Sequence, residues 1–209
     1  MKKIYYLIIA LTFIAGSASA QSDPNAKKVL DAVSAKLKTF KGVTANFTVV
    51  SRGASGKVNH SAAGKIYIKG NKYYIKQGAT EIFSDGNKTW NYNGNNEVTV
   101  TPVDEADNAL TPQTLLTNFY DNDFTYKLVS SAGTYNQIQL IPIDKRKNYK
   151  QLNVSVDKSK TMITKARVQD RNNNTIDFNL SNINTAANIP DNTFVFNKNK
   201  YKKNIEVIE

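Results

Sequence analysis

The chain has 209 residues, no cysteine, one histidine and a formal net charge of +11. The lack of cysteine excludes disulfide bonds and thiol nucleophiles, and one histidine cannot supply the several nitrogen or sulfur ligands that a zinc site needs. The scattered lysines fit either an anionic partner or a basic surface without a specific role.

The first twenty residues have the pattern of a secretory signal peptide. Lys2 and Lys3 precede the apolar run IYYLIIALTFIAG, and the small residues ASA suit a signal peptidase that cuts after Ala20. Gln21, in place of cysteine, predicts a mature chain without an N-terminal lipid. No later apolar run reaches the ~18 residues needed to span a bilayer. The sequence therefore predicts one exported, periplasmic domain over residues 21–209. Removal of the signal peptide would also remove Lys2 and Lys3 and so lower the net charge from +11.

Residues 23–42 predict an amphipathic helix. Asp23 is a suitable N-cap and Pro24 a suitable first helical residue, because these choices satisfy or remove donors left unpaired at a helix start. Gly42 marks the expected end of the helix. Apolar residues recur at spacings of three and four and form one face: Ala26, Val29, Leu30, Val33, Leu37 and Phe40.

The segments that follow alternate apolar and polar residues with the period of two that predicts strands, beginning with VTANFTVV. An Asp-Gly turn at 85–86 joins two of them into a hairpin. A two-residue loop there would place Phe83 opposite Lys88. Phe83, Trp90 and Tyr92 would then project from one face of the hairpin.

A second helix is predicted at 111–120, where Thr111 caps and Pro112 begins the segment. Strands resume after it and end with a short one, TFVF, at 193–196. About eleven strands with short turns favour antiparallel meanders, and an antiparallel sheet of this length must curl. The pattern predicts a mostly β (α+β) fold whose curved sheet is covered by two helices, with a solid core if they pack tightly and a cavity if they do not.

The segment SDGNKTWNY at 84–92 resembles the outer-membrane lipoprotein carrier proteins, the LolA-type periplasmic lipoprotein chaperones. Other segments resemble the family's pattern in order and with near-matching spacing. They are AKLKTFKGVTANFT, AAGKIYIKGNKYYI, LTPQTLL, IQLIP, VQDRNNNTIDFNL and FVF. The ordered set, rather than any one segment, carries the resemblance along nearly all of residues 21–209.

The resemblance implies an unclosed β-barrel of about eleven strands with a helical lid, the lipoprotein-localisation-factor fold. It implies a chaperone, not an enzyme, without cofactor or metal, that carries lipoproteins from the inner to the outer membrane. The implied partners are acylated lipoproteins and an inner-membrane lipoprotein-releasing ABC transporter, with no nucleic acid, and the chain is expected to be a monomer. Gly70 stands where the family typically has an arginine associated with the transfer of cargo to the next protein. Whether this chain has an outer-membrane acceptor is therefore left open.

We expect the inward-facing apolar side chains to bind the acyl chains, although each one alone also fits ordinary core packing. The helices contribute Val33, Leu37, Leu115 and Phe119. The strands contribute Phe47, Val49, Ile66, Ile68, Tyr73, Phe83, Trp90, Tyr92, Ile138, Leu140, Val154 and Phe178.

Other functions find less support in the residues. A hydrolase triad would depend on His60, and no G-x-S-x-G elbow is present, so His60 is expected to be an exposed loop residue. The acidic run DEAD at 104–107 lacks the pattern of an EF-hand loop. Lysines and aromatics do not interleave as a nucleic-acid-binding surface would require. A periplasmic lipid- or lipoprotein-binding module with a sensing role or a different acylated cargo remains the alternative.

Overall fold

A computed structural model describes residues 22–103, 120, 123–201 and 204–209. Its helix α1 (Pro24–Leu37) begins as the sequence predicts, with Asp23 as the N-cap accepting the Asn25 N–H at 2.8 Å. The helix ends at Leu37, earlier than the predicted end at Gly42. Gly42 serves another purpose: a Cβ at this position would lie 2.5 Å from the carbonyl oxygen of Ala187. The close approach of these two backbone segments requires glycine.

Twelve strands form one sheet, in the order β12-β6-β5-β4-β3-β2-β1-β11-β10-β9-β8-β7. Their bounds are β1 Val43–Arg52, β2 Val58–Lys69, β3 Lys72–Gln77, β4 Thr80–Ser84, β5 Lys88–Tyr92, β6 Glu97–Pro102, β7 Phe124–Ser130, β8 Tyr135–Pro142, β9 Tyr149–Asp157, β10 Met162–Asp170, β11 Thr175–Asn184 and β12 Glu206–Ile208. All neighbours are antiparallel except β12 and β6.

The sheet is not closed, because β12 and β7 are its two ends. Strands β1 to β6 and β7 to β11 are two meanders joined by the pairing of β1 with β11. A sheet this wide curls rather than staying flat. The predicted fold class, a single curved antiparallel sheet left open as a barrel, is confirmed. The predicted second helix at 111–120 lies outside the described residues, Tyr120 excepted.

Two further local predictions are wrong. The segment TFVF is not a strand: a 3₁₀ helix (Asp191–Phe194) occupies its first half, and the last strand is instead β12. In the β4–β5 hairpin, Phe83 lies opposite Trp90 and not Lys88. The Asp85 N–H bonds to the Lys88 carbonyl, so the turn is centred on Gly86 (φ +95°) and Asn87, one residue later than predicted. The register moves by two residues and the faces are unchanged.

Candidate functional site

The face of the sheet that α1 covers, here called the inner face, carries one continuous apolar cluster. Cross-strand rows build it: Ala45 lies opposite Ile66, and Ile66 opposite Ile75. On the other meander Phe178, Ala166, Val154 and Ile138 lie opposite one another in turn. The same cluster includes one face of α1, formed by Ala26, Leu30 and Val33, and the helix packs on strands β7 and β10. The cluster therefore spans both meanders and includes the buried face of α1.

Phe47 lies at the middle of the inner face, on the strand that joins the two meanders. Its side chain is 2% exposed, and its ring stacks on that of Phe178 with centroids 5.9 Å apart. The ring lies over Gly64 of β2, where a Cβ would come within 2.6 Å of the Phe47 Cζ and 2.2 Å of the Lys76 carbonyl oxygen. Glycine at position 64 thus makes room for the phenylalanine ring.

Most of the predicted acyl-binding residues come together here. Those buried in the cluster are Val33, Phe47, Ile66, Ile68, Tyr73, Ile138, Leu140, Val154 and Phe178. Leu37 and Val49 are half-buried and pack against it. Leu115 and Phe119 lie outside the described residues.

Phe83, Trp90 and Tyr92 lie on the opposite, outer face, so the prediction that they share a concavity with the inner-face residues is wrong. Ile75 and Ile82 face inward as a pair, and successive residues of a strand alternate between faces. Phe83 packs instead on Phe196 with ring centroids 5.8 Å apart. The predicted sharing of one face by these three side chains does hold, but the face is the other one.

The C-terminal residues cover this part of the outer face. We name the described residues 189–201 and 204–209 the C-terminal strap. Tyr92 lies 4.6 Å from Tyr201 and 5.9 Å from Phe196 between ring centroids, and Ile205 packs on Tyr92 and Val98. The strap explains why apolar residues change face between β3 and β5: each part of the sheet buries whichever face is covered.

A nearly buried carboxylate holds the strap to the sheet. Glu81 is 7% exposed and accepts the Tyr74 hydroxyl at 2.7 Å and the Lys76 ammonium at 2.8 Å. The Tyr201 hydroxyl donates to its other oxygen. Burial opposes ionisation of Glu81, but these donors outweigh it and hold its pKa below the usual value. Burial first, and then Glu81, raises the pKa of both tyrosines, so each stays a donor at neutral pH.

The turn at Gly70, where the family pattern has an arginine, is also tied to the strap. Gly70 has φ +60°, a conformation that favours glycine. The flanking Lys69 and Lys72 ammonium groups lie 3.0 and 3.3 Å from the Asp191 carboxylate. Both lysines are therefore engaged in ion pairs at this turn, which lowers the pKa of Asp191.

The inner face becomes polar towards β5. Ser84 and Thr89 are buried there as cross-strand partners, and the Thr89 hydroxyl donates to the Thr101 carbonyl at 3.1 Å. The apolar part of the inner face thus has a polar border on this side.

His60, predicted to be in a loop, is exposed as expected but lies within β2.

The chemistry open to this face is burial of apolar groups. Among the described residues, no group of three or more His, Cys, Asp or Glu side chains is placed to hold a metal ion. Over the same part of the chain, no helix has the length and hydropathy to cross a bilayer.

Comparison with known proteins now decides the family. Residues 38–197 match the family model described as outer membrane lipoprotein carrier protein LolA. The chain belongs to the LolA family. An outer-membrane lipoprotein carrier protein of Serratia proteamaculans (strain 568) is 29% identical over 174 residues, which is 81% of each chain. Members of this family are periplasmic carrier proteins that bind lipoproteins; they are not enzymes. The resemblance seen in the sequence is therefore confirmed.

Solved structures share the LolA-type fold at low identity. An uncharacterized conserved protein from Thermus thermophilus is 12% identical, with a TM-score of 0.58 over 88% of this chain and 98% of that one. MucB is also 12% identical, with a TM-score of 0.54 over 84% of this chain and 64% of its own. At these identities the likeness concerns the fold alone.

Proposed function

We propose that this LolA-family protein binds the acyl chains of lipoproteins on its inner face and carries them from the inner to the outer membrane. The observation that supports this most directly is the apolar cluster that continues across both meanders and includes one face of α1. An acyl chain in water costs roughly 0.8 kcal/mol per methylene, so a chain of ~16 carbons costs on the order of 10 kcal/mol. Transit through water therefore requires a protein surface that buries the chain.

Leu37 and Val49 are the inner-face positions through which we expect an acyl chain to enter the cluster. Both are only half-buried, whereas Phe47 and Ile66 of the same cluster are almost fully buried. Leu37 is the last residue of α1, and the helix packs on strands β7 and β10. Displacing this end of the helix exposes the cluster without breaking any strand pair.

Binding is tested with a tripalmitoylated cysteinyl peptide and the protein purified without residues 1–20. We expect a saturable rise in melting temperature, and weaker binding by about tenfold or more in Leu37→Lys, because an ammonium group in an apolar contact is costly. Val129→Lys is the matched control, because Val129 is 60% exposed. Equal binding by the Leu37→Lys variant, with its circular dichroism unchanged, would refute the placement of the acyl site.

Carriage is tested separately. Membrane vesicles that contain the lipoprotein-releasing transporter and a labelled lipoprotein are given ATP and the purified protein. We expect the label to appear in a soluble complex and then to move to added outer-membrane vesicles. Binding of the lipopeptide without uptake from the vesicles would favour the alternative of a sensing module or of a different acylated cargo. Mass spectrometry of co-purified lipid would then identify that cargo.

A further inference from the structure

A second surface lies on the outer face, over strands β8 to β11 and β1, away from the C-terminal strap. Two cross-strand rows of side chains define it, and we name it the polar groove. One row is Gln139, Asn153, Arg167, Asp177 and Val50, and the other is Gln137, Ser155, Lys165, Asn179 and Thr48. Their neighbours along each strand, such as Val154 and Phe178, face the inner cluster. A solvent-open depression of about 390 Å³ lies between the two rows and is also lined by Arg52.

The polar groove carries an excess of positive charge. Arg167 donates to both oxygens of Asp177, at 2.5 and 3.0 Å, and the Arg52 Nε lies 3.5 Å from the same carboxylate. One carboxylate cannot neutralise two guanidinium groups. Lys165 makes no ion pair with any described residue, and its ammonium lies 4.8 Å from the centre of the Tyr135 ring. Three cations thus face one anion.

The remaining side chains suit a hydroxylated ligand. Asn153 and Asn179 form no side-chain hydrogen bond within the described part of the chain, and each amide offers both a donor and an acceptor. The Ser155 hydroxyl donates to Gln137 Oε1 at 2.8 Å. Val50 is the only apolar side chain in the two rows. A peptide would find few apolar contacts here, and the strand edges inside the sheet are already paired.

The positions of the cations indicate how the charges of the ligand are spaced. Lys165 and Arg167 are two residues apart on β10, and Arg52 is two strands away on β1. The Arg52 and Arg167 guanidinium groups converge on the one carboxylate of Asp177, and Lys165 forms a second positive centre. Two residues along a strand span roughly 6.6 Å, so the two centres are separated by about that distance at the backbone. This spread fits single charges on separate units of a chain better than one compact dianion. Guanidinium groups pair well with carboxylates.

We propose that the polar groove binds a carboxylate-bearing saccharide chain, with Lys165, Arg167 and Arg52 contacting the carboxylates and the amides of Asn153 and Asn179 contacting the hydroxyls. The groove and the acyl-binding face are on opposite sides of the sheet. The saccharide site is therefore separate from the cargo site and does not depend on the proposed carrier function.

The test is a nuclear magnetic resonance titration of the ¹⁵N-labelled protein, purified without residues 1–20, with hexagalacturonate at low salt. We expect saturable shifts of the side-chain amides of Asn153 and Asn179 and of the Arg167 Nε–H. Lys165→Gln should weaken binding about two- to fivefold, the factor that an exposed ion pair contributes. Asp177→Asn removes the one anion and should tighten binding by a similar factor. The control Lys28→Gln, at an exposed position on α1, should leave binding unchanged.

Three outcomes would overturn the saccharide assignment. Equal binding of neutral maltohexaose would show that the charges have no role. Equal or tighter binding of hexaglutamate would identify a site for acidic peptides. The absence of shifts at millimolar hexagalacturonate in the wild type and in Asp177→Asn, when both spectra show a folded protein, would show that the groove binds no acidic sugar.

Discussion

The carboxylate of Asp23 accepts the backbone N–H of Leu128 at 3.0 Å, while its other oxygen caps α1. The Asp23 N–H also donates to the Tyr126 carbonyl at 2.9 Å. Both partners belong to β7, the end strand of the sheet, so these bonds occupy backbone groups on an edge that pairs with no other strand among the described residues. One residue thus starts the helix and fastens it to the sheet it covers.

Replacing Asp23 should therefore loosen the helix. Asp23→Ala removes both acceptors, whereas Asp23→Asn keeps one acceptor oxygen and remains a good N-cap. We expect the melting temperature to fall in both variants and to fall further in Asp23→Ala. Lys28→Ala, at an exposed site on the same helix, is the control. Equal melting temperatures of Asp23→Ala and the control would show that the bonds to β7 contribute nothing to stability.

The turn between β9 and β10 predicts a loss of stability in acid. Asp157 accepts the Ser159 hydroxyl at 2.7 Å and the Lys160 ammonium at 2.9 Å, and these donors lower the pKa of its carboxyl. A lowered pKa in the folded state stabilises the protein above the ordinary value of 3.8, and that contribution is lost as the pH falls towards the folded-state pKa. The free energy of unfolding in urea should therefore decrease below about pH 4.

The variant Asp157→Asn isolates this contribution. It cannot ionise, so its free energy of unfolding should be lower than that of the wild type at neutral pH, and the difference should shrink as the pH falls below about 4. Asp31→Asn is a less buried comparison, since the side chain of Asp31 is 49% exposed. Parallel curves for the wild type and Asp157→Asn over this range would contradict the assignment.

The contact between Phe47 and Gly64 predicts that the inner face does not tolerate a methyl group at position 64. Gly64→Ala would bring a Cβ to 2.2 Å from the Lys76 carbonyl oxygen, so β2 or β3 must shift. Overpacking of this kind typically costs about 1–3 kcal/mol. Gly53→Ala is the matched control, because its Cβ would meet Asn59 at an ordinary 3.5 Å. Urea unfolding measures both, and equal effects would refute the steric explanation.

Much of the fold could be predicted from local patterns. Asp23 and Pro24 are helix-start residues in any context, and an alternating run such as VTANFTVV identifies a strand without knowledge of its neighbours. The role of Gly42 could not be predicted in this way. Glycine at a helix end is a common local signal, but here it is required by the closeness of Ala187, which is far away in the chain. For the same reason, the Asp23–Leu128 bond has no local signature.

Local sequence patterns could not show which face of the sheet these aromatic side chains occupy. Period-two alternation shows that Phe83, Trp90 and Tyr92 share a face, but it does not show which element covers that face. The adjacent apolar residues Ile82 and Phe83 were the available signal, since a strand apolar on both sides is covered on both sides. The cover is the C-terminal strap, part of which the local sequence pattern predicts to be a strand.

Tyr201 should control how firmly the strap is held. Tyr201→Phe keeps the ring contact with Phe196, whose centroid lies 5.2 Å away, but removes the hydroxyl that donates to Glu81. A hydrogen bond to a charged group contributes about 1.5–3 kcal/mol, and Glu81 retains two other donors, so we expect a loss near the lower end. Backbone hydrogen exchange at 205–208 should become faster. Tyr135→Phe is the control, and equal exchange in both variants would show that the Glu81 bond does not hold the strap.

Trp90 offers a test of which face the lipid occupies, because it is the only tryptophan and lies on the outer face. Its ring belongs to the cluster of Tyr92, Val98 and Ile205, and the Lys88 ammonium lies 5.1 Å from its centre. A lipopeptide bound on the inner face should therefore leave its emission maximum and its quenching by acrylamide unchanged. The positive control is Val49→Trp in a Trp90→Phe background, which places the probe on the inner face and should shift to shorter wavelength. A response of Trp90 as large as that of the control would place the acyl chain on the outer face, under the C-terminal strap.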